Sequence, residues 1–138
     1  MPATLDIVGR LHRQLLEIVA IALPLIPSSR RDVDLAALGH LRHEMVDAMR
    51  RYRRHAEDVH AAAYGSGDPS AIAAADMLCH GSKALGRAYD EFRARWAHRE
   101  ALANWPEYRL SAIRMMKLVR NQVQQAEAAR GGEMALAA

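Results

Sequence analysis

Apolar residues recur at spacings of three and four along four segments of the chain. In the longest segment, from Leu38 to Tyr64, this spacing places one apolar stripe along a 3.6-residue repeat. The stripe consists of Leu38, Leu41, Met45, Met49, Tyr52, Ala56, Val59 and Ala63. The pattern predicts one long amphipathic helix, which would be the second helix of the chain.

Cap and breaker residues predict where the first two helices begin and end. The first helix is expected to begin near Thr4, a residue type that caps helix N-termini. It is expected to end at Pro24 and Pro27, because proline does not fit a helix interior. The second helix is predicted from Leu38, with Asp34 as an alternative start.

Two more helices follow from the same signals. Gly65-Ser66-Gly67 is expected to end the second helix, and Asp68 is expected to cap the third. Pro69 would then occupy the first helical position, where the lack of an N–H group is tolerated. A fourth helix is predicted to begin near Asn104 and to end at Gly131-Gly132. Its inward positions are predicted to be Leu110, Ile113, Met116, Val119, Val123 and Ala126.

Four amphipathic helices with short connections predict an all-α fold, an up-down-up-down four-helix bundle. One domain is predicted for residues 1–130, with residues 131–138 as a frayed C-terminal tail. Gly81 and Gly86 in the third helix favour the close approach of a neighbour. The composition agrees, because 51% of the 138 residues are hydrophobic, mostly Ala, Leu and Met, and aromatic residues make up only 5%.

The cysteine count and the length of the apolar runs indicate the cellular compartment of the protein. Cys79 is the single cysteine, which excludes an internal disulfide and favours a reducing compartment. The longest apolar run, Ile18 to Ile26, is about half as long as a membrane-spanning helix needs. The N-terminus carries Asp6 and lacks a basic region before an apolar core, so no targeting segment is expected. The sequence therefore predicts a cytoplasmic protein.

The second helix also carries a basic run outside its apolar stripe. Arg50, Arg51 and Arg54 are predicted to form a surface for an acidic partner, although a solvated face balanced by nearby carboxylates is the alternative. The formal net charge is only +3, and Tyr52 faces the core, where it cannot stack on bases. A protein partner is therefore favoured over nucleic acid, and a homodimer remains open.

Several stretches resemble the hemerythrin-like (HHE cation-binding) domain family over roughly Leu5 to Ala126. They are RLHRQLLEIV in the first helix, HLRHEM and RRYRRHAEDVH in the second, LGRAYDEFRARW in the third, and NWPEY at the start of the fourth. NWPEY is similar to the aromatic-Pro turn of many bacterial members. The resemblance implies a bundle with two irons inside, bound by several histidines and two carboxylates from all four helices.

Most of the implied ligands are missing. His12 lies on or beside the apolar stripe and is well placed, but the fourth helix contains no histidine between residues 106 and 130. Glu57 matches the family's glutamate, yet Arg53 stands where the motif requires a histidine four residues earlier. His80 lies about 200° from the inward position Leu78, which points it towards solvent.

The degenerate ligand set predicts that no metal or other cofactor is bound. The interior is expected to be filled instead by Leu15, Tyr52, Met116 and Val119, because an unpaired ligand in a core is costly. The alternative is a rearranged site that binds iron or senses oxygen. Its predicted ligands are His12, His55 and Glu57.

A second alternative comes from His80-Gly81-Ser82-Lys83, which has the H-x-x-K spacing of histidine phosphotransfer domains. His80 would accept the phosphoryl group and Lys83 would stabilise its charge. No nucleophile–base pair, Gly-rich phosphate loop or spaced carboxylate pair indicates an enzyme. The leading hypothesis is therefore a hemerythrin-like bundle with a degenerate di-iron site, acting as a non-enzymatic binding or regulatory module.

Overall fold

The computed structural model describes residues 2–137 and the side chains of residues 7–131. Four α-helices make up almost all of this length: α1 (Pro2–Leu25), α2 (Leu35–Ser66), α3 (Pro69–Trp96) and α4 (Trp105–Ala137). One turn of 3-10 helix, Arg30–Asp32, precedes α2. No strand occurs within residues 2–137. The all-α prediction is confirmed, and the four helices form a bundle in which α1 and α3 each pack against both α2 and α4.

The ends of α2 are set by two different caps. Asp34 is the N-cap, and its carboxylate accepts a hydrogen bond from the Ala37 N–H group at 3.1 Å. The alternative start is therefore the observed one, and the helix begins at Leu35 rather than Leu38. At the other end Gly67 adopts φ 70°, a left-handed conformation that favours glycine, and its N–H group bonds to the Tyr64 carbonyl.

The starts of α3 and α4 differ in how they are capped. Asp68 caps α3 by accepting from the Ser70 N–H group at 3.1 Å, and Pro69 occupies the first position, as predicted. Asn104 stands just before α4, and its carbonyl accepts from the Tyr108 N–H group at 3.0 Å. Its side-chain oxygen instead accepts from Arg99 at 3.1 Å, so the expected side-chain cap is not made.

One predicted helix end is confirmed and another is wrong. The first helix ends at Leu25, between Pro24 and Pro27, and Pro24 in its last turn interrupts only the final bonds of the helix. The fourth helix passes through Gly131-Gly132 and continues to Ala137. A glycine in a helix is less favourable than alanine by about 1 kcal/mol, which weakens a helix without ending it when no proline follows.

The core has two parts. The main cluster collects apolar side chains from all four helices, and a smaller one lies where α1 ends and α4 begins. In the smaller cluster the Trp105 Nε1–H group donates to the Pro27 carbonyl at 2.8 Å, and the Arg109 Nε–H group donates to the Ile26 carbonyl at 3.0 Å. These two bonds fix the start of α4 against the chain that leaves α1.

One predicted inward position of α4 is wrong. Leu110 is 49% exposed, whereas Tyr108, Ala112, Met115 and Met116 are buried. Leu110 lies two residues from Ala112, which turns it about 200° around the helix and away from the core.

The glycines at the end of α2 generate a matched prediction. Gly65 is helical with open space around its Cβ position, whereas Gly67 has positive φ. Gly65→Ala should raise the free energy of unfolding by about 0.5–1 kcal/mol, because alanine loses less backbone entropy on folding. Gly67→Ala should lower it by about 1–2 kcal/mol, because a Cβ is strained in the left-handed region. Urea denaturation measures both, and two changes of the same sign would contradict the assignment of this cap.

Candidate functional site

A histidine lies in the centre of the main core. His12 on α1 is 1% exposed, and the neighbouring positions Leu11 and Leu15 of the same helix are buried as well. This position agrees with its place on the apolar stripe of the sequence. A buried imidazole needs a hydrogen-bond partner at each nitrogen, since an unpaired buried polar atom is costly.

Both nitrogens of His12 have such a partner. Nδ1 lies 3.0 Å from Oε1 of Glu127 on α4, and Nε2 lies 3.0 Å from the hydroxyl of Tyr52 on α2. The Tyr52 oxygen also accepts from Nε2 of Gln122 at 3.3 Å, and Glu127 Oε1 accepts from Nη1 of Arg130 at 3.3 Å. We call these five residues the polar network.

The chemistry of the partners fixes the direction of each hydrogen bond. A carboxylate only accepts, so Nδ1 of His12 carries the proton that it donates to Glu127. In the neutral ring Nε2 is an acceptor and takes the Tyr52 O–H group, which leaves the Tyr52 oxygen to accept from Gln122. A neutral His12 therefore satisfies the whole chain of bonds from Gln122 to Glu127.

Burial also favours the uncharged forms of the His12 and Tyr52 side chains. Desolvation lowers the pKa of His12 below its ordinary value, against the raising effect of the hydrogen bond and charge of Glu127. Arg130 lowers the pKa of His12 further. Burial raises the pKa of Tyr52 to about 12. The contact between His12 and Glu127 is therefore a hydrogen bond to a carboxylate rather than a pair of full charges.

A glycine makes room for one arm of the polar network. Gln122 reaches Tyr52 across Gly81 of α3, and a Cβ at position 81 would overlap the Gln122 amide. The close approach expected at Gly81 from the sequence is therefore confirmed, and the neighbour is a polar side chain.

The interior does not offer the ligands of a di-iron site. Leu15, Tyr52, Met116 and Val119 are all buried in the main cluster, where they fill the space as predicted. His12 uses both nitrogens in bonds to protein groups. No group of three or more His, Cys, Asp or Glu side chains placed to hold a metal ion occurs among the residues described. The residues present do not fit the two irons that the resemblance implies.

The three residues predicted to form a rearranged metal site lie apart. His55 is half-buried and lies 3.7 Å from Asp58 of its own helix, and Glu57 is exposed on the outer side of α2. His12 lies inside the core, so the three predicted ligands His12, His55 and Glu57 are not brought together. The reason is geometric, because His55 and Glu57 flank the buried Ala56 and neither projects into the interior.

The sequence did not single out Gln122, Glu127 and Arg130. Glu127 directly follows the inward position Ala126, and the predicted up-down arrangement itself sets the end of the fourth helix beside the start of the first. A buried His12 needs a hydrogen-bond partner at each nitrogen, and Glu127 is the acidic residue of the fourth helix that this arrangement brings near it. These two facts together would have identified Glu127 from the sequence.

The residues of the phosphotransfer hypothesis lie on the outside of α3. His80 and Lys83 are both exposed and stand three positions apart. Exposure agrees with the geometry expected from the sequence, and a phosphoryl acceptor role for His80 stays a prediction.

A charged groove lies between α2 and α3, with a volume of about 290 Å³. Its charged lining consists of Arg50, Arg53, Arg54 and Glu57 from α2 and Asp90 and Arg93 from α3. Its apolar lining is Val46, Met49 and Tyr89. We call this the basic groove. Arg50 and Arg54 of the predicted partner surface line it, whereas Arg51 does not and instead pairs with Asp47 at 3.6 Å.

The four arginines of the basic groove differ in whether a carboxylate lies close to them. Arg53 crosses α3 at Gly86, where a Cβ would lie 2.8 Å from Arg53 Cδ, and its Nη1 is 3.6 Å from Oδ2 of Asp90. Within the described part of the chain, Arg50, Arg54 and Arg93 have no carboxylate oxygen within 4.0 Å. Three guanidinium groups therefore remain available to an acidic ligand.

A second hollow adjoins the basic groove at the end nearer α4. Its volume is about 590 Å³, and four aromatic residues line it: Tyr89, Phe92, Trp96 and Tyr108. We call this the aromatic pocket. Its edge residue Arg42 donates from Nε to the Tyr108 hydroxyl at 3.0 Å, and its guanidinium lies 4.9 Å from the centre of the Tyr108 ring.

No family model, curated protein or solved structure matches the chain. Within residues 2–137, none of the helices has the length and apolar character needed to cross a membrane. Only the arrangement of the side chains therefore supports the candidate sites.

The polar network predicts how stability responds to loss of the His12 ring. His12→Leu keeps a side chain of similar size but removes the nitrogen that accepts from the buried Tyr52 O–H group. The free energy of unfolding at pH 7.5 should fall by about 1–3 kcal/mol, the usual penalty for a buried polar group without a partner. Urea denaturation measures it, with Arg13→Leu at an exposed neighbouring position of α1 as a control that should change stability by less than about 1 kcal/mol.

The network also predicts a pH dependence. The unfolded chain carries His12 with its ordinary pKa of 6.5, and the folded chain holds it lower. The unfolded state therefore binds the proton first, so this contribution to stability is complete above pH 6.5 and is lost as pH falls through the lower folded pKa. Urea denaturation from pH 7.5 to 5 should show a smaller loss in His12→Leu than in wild type. Equal losses in the two proteins would contradict a neutral buried His12.

Proposed function

We propose that the chain is a divergent hemerythrin-like bundle of up-down-up-down topology that acts as a non-enzymatic binding module. In this proposal the basic groove binds an acidic segment of a partner protein. The interior has a structural role, and the partner is bound on the outer surface of α2 and α3.

Contacts between α1 and α4 support the topology. His12, near the middle of α1, bonds to Glu127, in the second half of α4. Ile26, just after α1, accepts from Arg109 at the start of α4. Pairs of this kind are those of neighbouring antiparallel helices, which up-down connections of a few residues produce.

The state of the interior supports a role without metal chemistry. Iron or oxygen binding needs inward-facing ligands, and the polar network leaves His12 no free nitrogen. Restoring a ligand would require breaking a buried hydrogen bond, which costs about 1–3 kcal/mol. Iron binding and phosphotransfer through His80 stay predictions of the sequence, and no contact favours either of them over partner binding.

One observation carries the proposal, namely the arginines that converge on a single groove. Four arginines face two carboxylates there, and three of the four have no carboxylate within 4.0 Å in the described structure. An isolated exposed ion pair contributes only about 0–1 kcal/mol. Several guanidinium groups above an apolar floor form stronger, charge-assisted hydrogen bonds, because a bound carboxylate is partly shielded from water.

A charge-reversal experiment tests the proposal. Arg50→Glu with Arg54→Glu should weaken binding of a fluorescently labelled glutamate-rich peptide by about tenfold or more, because like charges would then face each other. Fluorescence anisotropy with the full chain measures the dissociation constant. Binding to the wild-type chain should also weaken when salt rises from about 0.02 M to about 0.5 M.

A second double variant provides a control of equal charge. Arg51→Glu with Arg120→Glu makes the same change in net charge at two exposed positions outside the basic groove. At about 0.15 M salt its binding should stay within about threefold of wild type, because neither side chain lines the groove and charges that do not contact the ligand are strongly screened. Equal losses in the two double variants would mean that only net charge matters, and this would contradict a specific site.

A further inference from the structure

The basic groove and the aromatic pocket are parts of one channel. Four residues line both hollows: Val46, Tyr89, Asp90 and Arg93. On α2 the lining extends from Arg42 to Glu57, which at 1.5 Å per residue corresponds to about 22 Å. A ligand in one hollow can therefore extend into the other without leaving the protein surface.

The length of the channel selects the size of the occupant. A single phosphate or carboxylate ion would contact only a fraction of about 22 Å. An extended peptide covers that length with about seven residues, at about 3.3 Å per residue. A short peptide segment is the ligand whose length matches the whole lining.

The arginines around the Trp96 ring already have partners. Arg95 and Arg99 lie 5.6 Å and 4.9 Å from the centre of the Trp96 ring. Both also pair with Glu107, at 3.7 Å and 3.0 Å. Arg42 is bonded to Tyr108, and Arg93 and Asp90 line both this pocket and the basic groove. Tyr89 and Tyr108 are buried, so the half-buried rings of Phe92 and Trp96 supply the apolar surface of this end, which favours an apolar side chain.

The two ends therefore differ in the chemistry that they recognise. Arg50 and Arg54 at the basic end, and Arg93 where the basic groove meets the aromatic pocket, lack a carboxylate partner within the described chain. Between the ends lies Tyr89, which is buried and whose pKa burial raises to about 12. Its hydroxyl is uncharged, so the floor that joins the two ends attracts neither acidic nor basic groups through a net charge.

We infer that the channel binds one extended acidic peptide segment of a partner protein, anchored by a large aromatic side chain in the aromatic pocket. The acidic side chains of this segment lie against Arg50, Arg54 and Arg93. The two ends are centred about eight residues apart on α2, or about 12 Å, so the anchor stands about four positions from the acids in an extended chain. The inference rests on the proposed function and adds a second recognition element to it.

Three synthetic peptides separate the two elements. The first carries two glutamates followed by phenylalanine four positions later, the second replaces that phenylalanine with serine, and the third replaces the glutamates with glutamine. Anisotropy with the full chain should show that the first binds about tenfold or more tighter than each of the others, because a buried aromatic ring and a set of charge pairs are each worth at least that factor.

A variant that fills the aromatic pocket tests where the anchor lies. Ala94 is exposed on α3 and lines the pocket, so Ala94→Tyr should occupy it without disturbing the core. This variant should remove the advantage of the phenylalanine peptide over the serine peptide and leave the serine peptide unchanged. Ala61→Tyr, at an exposed position of α2 outside the channel, should keep the full advantage.

The possible results distinguish the inference from the proposed function. Equal affinity for the phenylalanine and serine peptides, with both still weakened by Arg50→Glu and Arg54→Glu, would overturn the aromatic anchor and leave the acidic site intact. Loss of the arginine dependence as well would overturn both. Complete displacement of the first peptide by millimolar inorganic phosphate would identify a small-anion site and would also overturn the inference.

Discussion

A buried imidazole must find a partner for each of its two nitrogens, and the way His12 meets this requirement joins three helices. Its ring, on α1, donates to Glu127 on α4 and accepts from Tyr52 on α2. A shift of any of these helices by one turn, about 5.4 Å, would break a bond in the core. Gln122 brings α3 into the same arrangement, because its side chain reaches Tyr52 only across Gly81. The polar network thus fixes how the helices are aligned, in addition to the apolar packing around it.

The same helix that closes the interior also carries the surface charge. Tyr52 points inward from α2, and Arg50, Arg53 and Arg54 on either side of it line the basic groove. Because successive residues turn about 100° around a helix, a run of four arginines broken by one tyrosine spreads over several directions. Tyr52 supplies a partner to His12, and its neighbours supply a surface to a ligand. In our proposal, the closed interior and the open groove are two faces of one helix.

Much of the fold could be predicted from the sequence because local chemistry decides it. The spacing of apolar residues gave the four helices, and Asp34, Asp68 and Gly67 marked helix ends through their own hydrogen bonds or φ angle. The site was less predictable. Arg50 and Arg54 line the groove while Arg51 does not, a difference set by α3 alongside. Glu127 and Gln122 act through long side chains that reach other helices, and their partners are 115 and 70 residues away in sequence.

The central claim is that the polar network closes the bundle interior, so that binding takes place on the surface. Metal analysis of protein purified from iron-supplied cells tests it most directly, together with the visible absorption spectrum. The account predicts iron well below one atom per chain, no oxo-bridge absorption, and the same result for wild type and His12→Leu. Two irons per chain with oxo-bridge absorption, lost in His12→Leu, would contradict it, because His12 would then be a metal ligand rather than a hydrogen-bonded core residue.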